Sequence, residues 1–216
     1  MRGQRIIRKV NLNPNQRSAS TLAPALQGIL KWCQEHQQTP SFVSVADGPG
    51  SFTGLRIGVT TAKTLCYALE LPLVSVDSLA AIAAAALHAN PTCHTIWAVL
   101  DAYRGQVFHG RFERATLLPD QHAIPSNWTA HPETIDVLQQ ETWHTQLEQK
   151  LPQIGLTGDP KPLGARSANL LTRDCDAIGV GLLAVRAAAL GHFCDPMQLV
   201  PRYLKPSAAE EKIAEH

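Results

Sequence analysis

The residues whose types and spacing are best suited to bind a ligand form a glycine-rich loop between a predicted strand and a predicted helix. The loop and the start of that helix read DGPGSFTGLRIG over positions 47–58. Glycines allow backbone N–H groups to converge, and a helix N-terminus adds partial positive charge, so such a loop suits an anion. The residues that would hold an anion or a nucleotide are Gly48, Gly50, Ser51, Thr53, Gly54 and Arg56.

The same loop also has a purely structural explanation. Ser51 or Thr53 can cap the helix, while Gly54 and Gly58 can allow the helix to approach a neighbour closely. The loop is not a P-loop, because no Gly-Lys-Ser/Thr follows it, and Thr53 stands where a dinucleotide-binding motif has its last glycine. The Gly-x-Ser-x-Gly turn of serine hydrolases is missing too. Both roles stay open, with capping slightly favoured.

The usual metal-binding and catalytic spacings do not occur in this sequence. No two of its nine histidines are four residues apart, so a helix-borne metal pair is not predicted, and His131 is expected to be a surface residue. The five cysteines form no C-x-x-C pair, which indicates free thiols in a reducing, cytoplasmic compartment. Asp77 and Asp101 could act as acid or base, although capping and turn formation are commoner uses. We predict no catalytic residue, no metal and no cofactor.

The elements that position the loop follow from hydrophobic periodicity. Helices are predicted over 21–35, 55–69, 78–87, 134–150 and 178–190, with Thr21 and Ser78 as caps. Strands are predicted over 5–12, 42–46, 73–76, 95–101 and 106–112, the last two as a hairpin. This alternation indicates an α/β fold with a mixed sheet. The longest apolar run has nine residues, about half of what a membrane span needs, so no membrane segment is predicted.

At the glycine loop the sequence resembles a known family. The run GPGSFTGLRIG over 48–58, followed by TAK over 61–63, is similar to the signature of bacterial TsaB (YeaZ-like) proteins. Further similarity lies in PLVSVDSL over 72–79, LDAYRGQV over 100–107, Gly158-Asp159 and LVPRYLK over 199–205. The resemblance therefore covers most of the chain and is weakest over 113–150.

This resemblance implies an actin/Hsp70-like, ribonuclease-H-type α/β fold with flanking helices and two lobes, over 1–100 and 101–216. It implies a non-catalytic scaffold subunit in the synthesis of threonylcarbamoyladenosine at position 37 of ANN-decoding tRNAs. The implied partners are a TsaD-like catalytic protein and a TsaE-like ATPase, with tRNA bound only through the complex. The alternatives are a glycoprotease-type peptidase, which would need a metal pair or an activated nucleophile, and an ATP-binding actin-like enzyme.

The resemblance also carries two structural expectations. It places the contact with the TsaD-like partner, or with a second copy in a homodimer, on the first two helices, and the residues concerned are Leu22, Leu26, Ile29, Ala62, Lys63 and Cys66. Family members have two further strands before the segment that matches 4–12. We therefore expect that Met1 marks a truncated or misassigned start, and that residues 5–12 do not pair as they do in the family.

Overall fold

The computed structural model describes residues 1, 5–13, 18–148, 155–159, 161–162, 171 and 175–205. Within this part of the chain the helices are α1 Ser18–Glu35, α2 Phe52–Leu69, α3 Ser78–Ala89, α4 Arg114–Leu117, α5 Gln140–Glu148 and α6 Ala177–Ala189. The strands are β1 Val43–Gly48, β2 Leu73–Asp77, β3 Thr95–Tyr103, β4 Gln106–Glu113, β5 Ile135–Gln139 and β6 Gly155–Gly158. The mixed α/β prediction is confirmed.

The strands form two sheets among the described residues, where the sequence predicted one. The first sheet is the parallel pair β1–β2, with Val43 opposite Leu73. The second has the order β5-β4-β3-β6, in which β4 runs antiparallel to both neighbours and β6 runs parallel to β3. The division into lobes at about residue 100 stays a prediction. Helix α6 lies in the second predicted lobe and packs on α3, which lies in the first.

The main core is built around α3, an alanine-rich helix. Ten consecutive residues of α3, from Ser78 to Leu87, are buried. A helix that is apolar on all sides must be covered on all sides, and α3 contacts α6, β3 and the first sheet. At Gly179 of α6, an added Cβ would lie 1.8 Å from the carbonyl oxygen of Ala81. The two helices therefore approach each other as closely as a glycine permits.

Two predicted elements differ from the structure. Residues 6–12 are not a strand: Val10 is 40% exposed, and Lys9 is bonded to Asp176 at the start of α6. An alternating pattern makes a strand only where a sheet edge lies beside it. The helix predicted over 134–150 is β5 followed by α5, because the β-branched Ile135 and Val137 pair with the edge of β4.

Two predicted helix starts also differ. The first helix begins at Ser18, so Thr21 does not cap it and Pro24 lies inside it. Asp77, not Ser78, caps α3, since its carboxylate accepts a hydrogen bond from the Ala80 N–H. Aspartate is at least as good a cap as serine, and here it is the last residue of the preceding strand.

The close contact at Gly179 leads to a stability prediction. Gly179→Ala should destabilise the protein by about 1–3 kcal/mol, because the new methyl group meets the backbone of α3 and not a movable side chain. The matched control is Gly28→Ala on the exposed face of α1, where nothing lies within 4 Å. That change should stabilise the helix by up to about 1 kcal/mol. Urea unfolding of both variants would test this, and equal effects would contradict it.

A half-buried histidine in the second sheet, His109, makes stability depend on pH. Burial lowers the pKa of His109 below 6.5, although Asp136 on β5 acts in the opposite direction. As the pH falls below 6.5 the unfolded chain takes up a proton that the folded chain resists, so the free energy of unfolding decreases. His109→Gln should lose less stability than the parent between about pH 7.5 and 5.5, as measured by urea unfolding. The exposed control His192→Gln should behave like the parent.

Candidate functional site

The glycine loop connects the end of β1 to the start of α2. Gly48 has a φ of +140°, and a Cβ there would lie 2.3 Å from the carbonyl oxygen of Arg202, so only glycine fits. Ser51 is the N-cap of α2, and its hydroxyl accepts a hydrogen bond of 3.4 Å from the Gly54 N–H. The capping role that the sequence favoured is thus present in the fold.

A second part of the chain, the C-terminal segment of residues 193–205, lies against this loop. The Arg202 N–H donates to the Asp47 carbonyl at 2.7 Å, and the guanidinium donates to the Gly48 carbonyl at 3.3 Å. The same guanidinium forms an ion pair with Asp77, whose side chain is fully buried. Asp77 therefore caps α3 with one oxygen and holds Arg202 with the other, so both oxygens are engaged within the fold.

The carboxylate of Asp47, near the end of β1, is held through one oxygen only, since its buried Oδ1 has no hydrogen-bond partner among the described residues. Asp47 is 5% exposed, and its Oδ2 lies 2.9 Å from Nε2 of His131. The expectation that His131 is an ordinary surface residue is therefore wrong, because its side chain is largely covered by this pairing. Nothing in the local sequence around His131 predicts its partner, since the two residues are 84 positions apart.

Aromatic side chains fix the first turn of α2. The ring of Phe52 stacks on that of Tyr203 with centroids 4.3 Å apart, and the Arg56 guanidinium lies 4.0 Å from the Phe52 centroid. Arg56 Nε also donates to the Tyr203 hydroxyl at 3.1 Å. Arg56, which was predicted to bind an anion, thus makes internal cation–π and hydrogen-bond contacts with the C-terminal segment.

A pocket of about 380 Å³ opens between the loop, the β3–β4 turn and the C-terminal segment. Of the predicted anion-binding residues, Gly50, Ser51 and Thr53 line this pocket, whereas Gly48, Gly54 and Arg56 do not. Its remaining lining residues are Pro49, Phe52, Ala102, Tyr103, Arg104, Phe108, Arg202, Tyr203, Leu204 and Lys205. The lining contains three cations and no acid, so anion binding at the loop stays a prediction. None of the three cations was among the residues predicted from the sequence.

The turn that faces the pocket is built by Asp101. Its Oδ1 accepts a hydrogen bond of 2.7 Å from the N–H of Tyr103, which has a left-handed φ of +62°. Its other oxygen pairs with Lys161, and this hydrogen bond raises the pKa of the lysine. Asp101 therefore stabilises a strained turn, the commoner of the two uses considered for it.

The predicted partner interface is only partly on the surface. Ala62 and Cys66 are 5% and 2% exposed and pack with Leu73 in a core cluster, so they cannot contact a partner directly. This corrects the prediction for both residues, and burial also raises the pKa of the Cys66 thiol. Lys63 donates to the carbonyls of Met197 and Leu199. The side of α2 that faces β1 and β2 is therefore filled from within the chain.

The other predicted interface residues and one unpredicted residue remain accessible. Leu22, Leu26 and Ile29 are half-buried on α1, which contacts α2. Tyr67 on α2 is 83% exposed, which is unusual for a large aromatic side chain. The helical period places Tyr67 about 100° around α2 from Cys66, but it does not tell which side of the helix the rest of the chain covers.

Metal-binding clusters and membrane-spanning helices are both absent from the described residues. Among them, no group of three His, Cys, Asp or Glu side chains is arranged to hold a metal ion. No helix in that part of the chain is long and apolar enough to cross a membrane.

The chain is similar to proteins of tRNA modification. A family model described as TsaD, tRNA N6-adenosine threonylcarbamoyltransferase, matches residues 12–161. The Bacillus subtilis tRNA threonylcarbamoyladenosine biosynthesis protein TsaB is 39% identical over 110 residues, which cover 49% of this chain and 47% of that protein. The Escherichia coli TsaB is 31% identical over 128 residues, which cover 59% of this chain and 51% of that protein. This chain thus spans about half the length of the curated relatives it matches.

Solved structures support the fold. YeaZ from Pseudomonas aeruginosa superposes with a TM-score of 0.61 over 86% of this chain and 84% of the other, at 21% sequence identity. A second Pseudomonas aeruginosa structure is of an uncharacterized protein with similarity to peptidase YEAZ. It superposes with a TM-score of 0.63 over 85% of this chain and 83% of the other, at 21% sequence identity. The architecture is therefore that of the YeaZ structures, as the resemblance implied.

The pair between Arg202 and Asp77 can be tested by its removal. Arg202→Met would leave a buried carboxylate without its cation and should cost about 3 kcal/mol of stability. Adding Asp77→Asn to that variant should recover part of the loss, because the amide oxygen can still cap α3 and carries no charge. Arg111→Met, which breaks an exposed pair with Glu113, is the control and should cost below about 1 kcal/mol. An equal loss in Arg202→Met and in this control, measured by urea unfolding, would show that the buried pair is unimportant.

Proposed function

Because the chain belongs to the TsaD family of tRNA N6-adenosine threonylcarbamoyltransferases, we propose that it takes part in making threonylcarbamoyladenosine in tRNA. Within that pathway we assign it the part of a TsaB-type scaffold subunit that does not transfer the threonylcarbamoyl group. The observation that carries the proposal is its similarity to the Bacillus subtilis TsaB. A cytoplasmic location suits this role.

The geometry of the strand ends supports a role other than catalysis. Asp47, Asp77 and Asp101 lie in the last three residues of their strands, and ligands of α/β proteins often bind at this end. Each of them is engaged with a basic side chain of another segment. Carboxylates that pair with basic side chains in this way hold the fold together.

The proposed partner is a TsaD-like protein, with a TsaE-like ATPase joining the complex and tRNA bound only through it. We propose that the partner, or a second copy of the chain when the partner is absent, contacts α1 through Leu22, Leu26 and Ile29 and α2 through Tyr67. Two neighbouring helices with half-buried aliphatic residues and an exposed aromatic residue provide the apolar centre that such interfaces have.

The function is tested by reconstitution with the TsaD-like and TsaE-like proteins of the same genome. Threonylcarbamoyladenosine in digested tRNA, measured by mass spectrometry, should form only when this chain is present with both partners. Peptidase and ATPase assays on the chain alone address the two alternatives. Product formation without the chain would overturn the scaffold role, and activity of the chain alone would favour one of the enzymes.

The interface is tested by two adjacent residues of α2. Tyr67→Arg places a charge on an exposed position and should weaken binding to the TsaD-like partner at least about tenfold without loss of folding. Cys66→Arg places the same charge in the core and should unfold the chain. Ala115→Arg, an exposed position on α4, is the matched control for the added charge. Calorimetric binding together with circular dichroism would decide, and unchanged binding by folded Tyr67→Arg would exclude this face.

A further inference from the structure

A second pocket, of about 500 Å³, lies between the end of α3, the start of α4, the loop that follows α4, and α6. We call it the two-arginine pocket. Its lining residues are His88, Arg114, Leu118, Pro119, Asp120, Gln121, His122, Leu182 and Arg186. None of these residues belongs to the glycine loop or to the proposed partner interface.

Arg186 is the most unusual residue of this pocket. It is 4% exposed, and its hydrogen bonds go to the carbonyls of Pro119 and Leu182, at 3.0 and 2.8 Å. No carboxylate of the described residues forms an ion pair with it, although Asp120 lies near enough to act on its charge. Burial lowers the pKa of Arg186 because the buried charge is costly. A buried guanidinium usually has an anionic partner, and this one has only neutral oxygens in direct contact.

Arg114 likewise forms no ion pair with a carboxylate of the described residues. Its Nε donates to the Cys93 carbonyl at 2.9 Å, and its Nη2 donates to the carbonyls of Asn90, at 2.7 Å, and of Leu87. These carbonyls lie at and after the end of α3, where a cation is favourable. Two guanidinium groups, each bonded only to carbonyls in the described part of the chain, thus line one pocket.

The rest of the lining adds donors and one competing charge. Nε2 of Gln121 is buried and has no hydrogen-bond partner among the described residues. His88 and His122 are exposed residues of the same pocket. Asp120 is exposed, and its Oδ1 accepts a hydrogen bond of 2.9 Å from the His122 N–H. The pocket therefore has two fixed positive charges, one negative charge and one buried amide nitrogen that no described residue bonds.

We propose that the two-arginine pocket binds a phosphate group. Phosphate suits this lining because guanidinium groups donate to its oxygens in a planar, forked geometry, and because the Gln121 amide supplies a further neutral donor. The pocket has the size of ordinary small-molecule sites, so the phosphate can belong to a free phosphorylated compound or to an RNA strand. The shared chemistry is the phosphate, and the two sources are separated by experiment.

The competing explanation is that both arginines only brace the loop after α4. Two substitutions in the pocket distinguish phosphate binding from bracing without removal of either arginine. Asp120→Asn removes the competing charge at an exposed position and should tighten binding of inorganic phosphate about fivefold. Gln121→Glu supplies an internal carboxylate and should abolish phosphate binding while it raises the melting temperature in phosphate-free buffer. A purely bracing role predicts neither change in phosphate affinity.

The experiment is calorimetric titration of the full chain with inorganic phosphate, beside sodium chloride at equal ionic strength. We expect saturable binding of phosphate by the parent chain, an Asp120→Asn variant that binds more tightly, and a Gln121→Glu variant that does not bind. Arg111→Gln, which removes an arginine outside the pocket, should bind as the parent does. No binding by the parent, or the same affinity in the parent and the folded Asp120→Asn and Gln121→Glu variants, would overturn the proposal.

A second titration identifies the source of the phosphate. A short single-stranded RNA that displaces phosphate from the parent but does not bind the Gln121→Glu variant would assign the pocket to an RNA backbone. Phosphate binding that RNA does not affect would assign it to a free phosphorylated compound. RNA binding that is equal in the parent and in the Gln121→Glu variant would place the RNA elsewhere and leave the phosphate titration as the deciding measurement.

Discussion

The buried carboxylate of Asp77 is the point at which the separate parts of this fold are joined. It ends β2 and caps the N-terminus of the buried helix α3, and its second oxygen is paired with Arg202 of the C-terminal segment. Because the two oxygens of this fully buried charge are bonded to different segments, the positions of α3 and of Arg202 are coupled. Because Arg202 also bonds the backbone of Asp47 and Gly48, the glycine loop is held in place by the same pair.

This coupling explains why the glycine loop is so constrained. The backbone of Arg202 occupies the space that a side chain at position 48 would need, and Tyr203 then stacks on Phe52. The first turn of α2 is thus packed against a segment about 150 residues later in the chain. A loop with so many internal contacts is more rigid than its glycine content suggests. Any anion bound there would use Gly50, Thr53 and the cations of neighbouring segments.

The sequence predicts those parts of the fold that depend on local signals. The end of α2 and, within one residue, both limits of α6 follow from apolar periodicity and from signals such as Asp176 before α6 and Gly191 after it, whereas α2 begins at Phe52, three residues before the predicted start. The sequence does not predict which distant residues pair. No sequence pattern links Asp47 to His131 or Asp77 to Arg202. Cys66 illustrates the same limit, since an apolar helix face fits a core within the chain as well as a partner.

Two arginines of this chain differ in how their positive charge is compensated within the fold. Arg202 is partly exposed, yet it reaches a buried carboxylate, so its charge is compensated within the fold. Arg186 is more deeply buried and reaches only carbonyls, with Asp120 at longer range. Since desolvation costs more at the second site and compensation is weaker, bracing of a loop is a poor reason to bury a guanidinium there, and a neutral donor would suffice. An anion from outside the chain would remove that imbalance, which is why we place the proposed phosphate site in the two-arginine pocket.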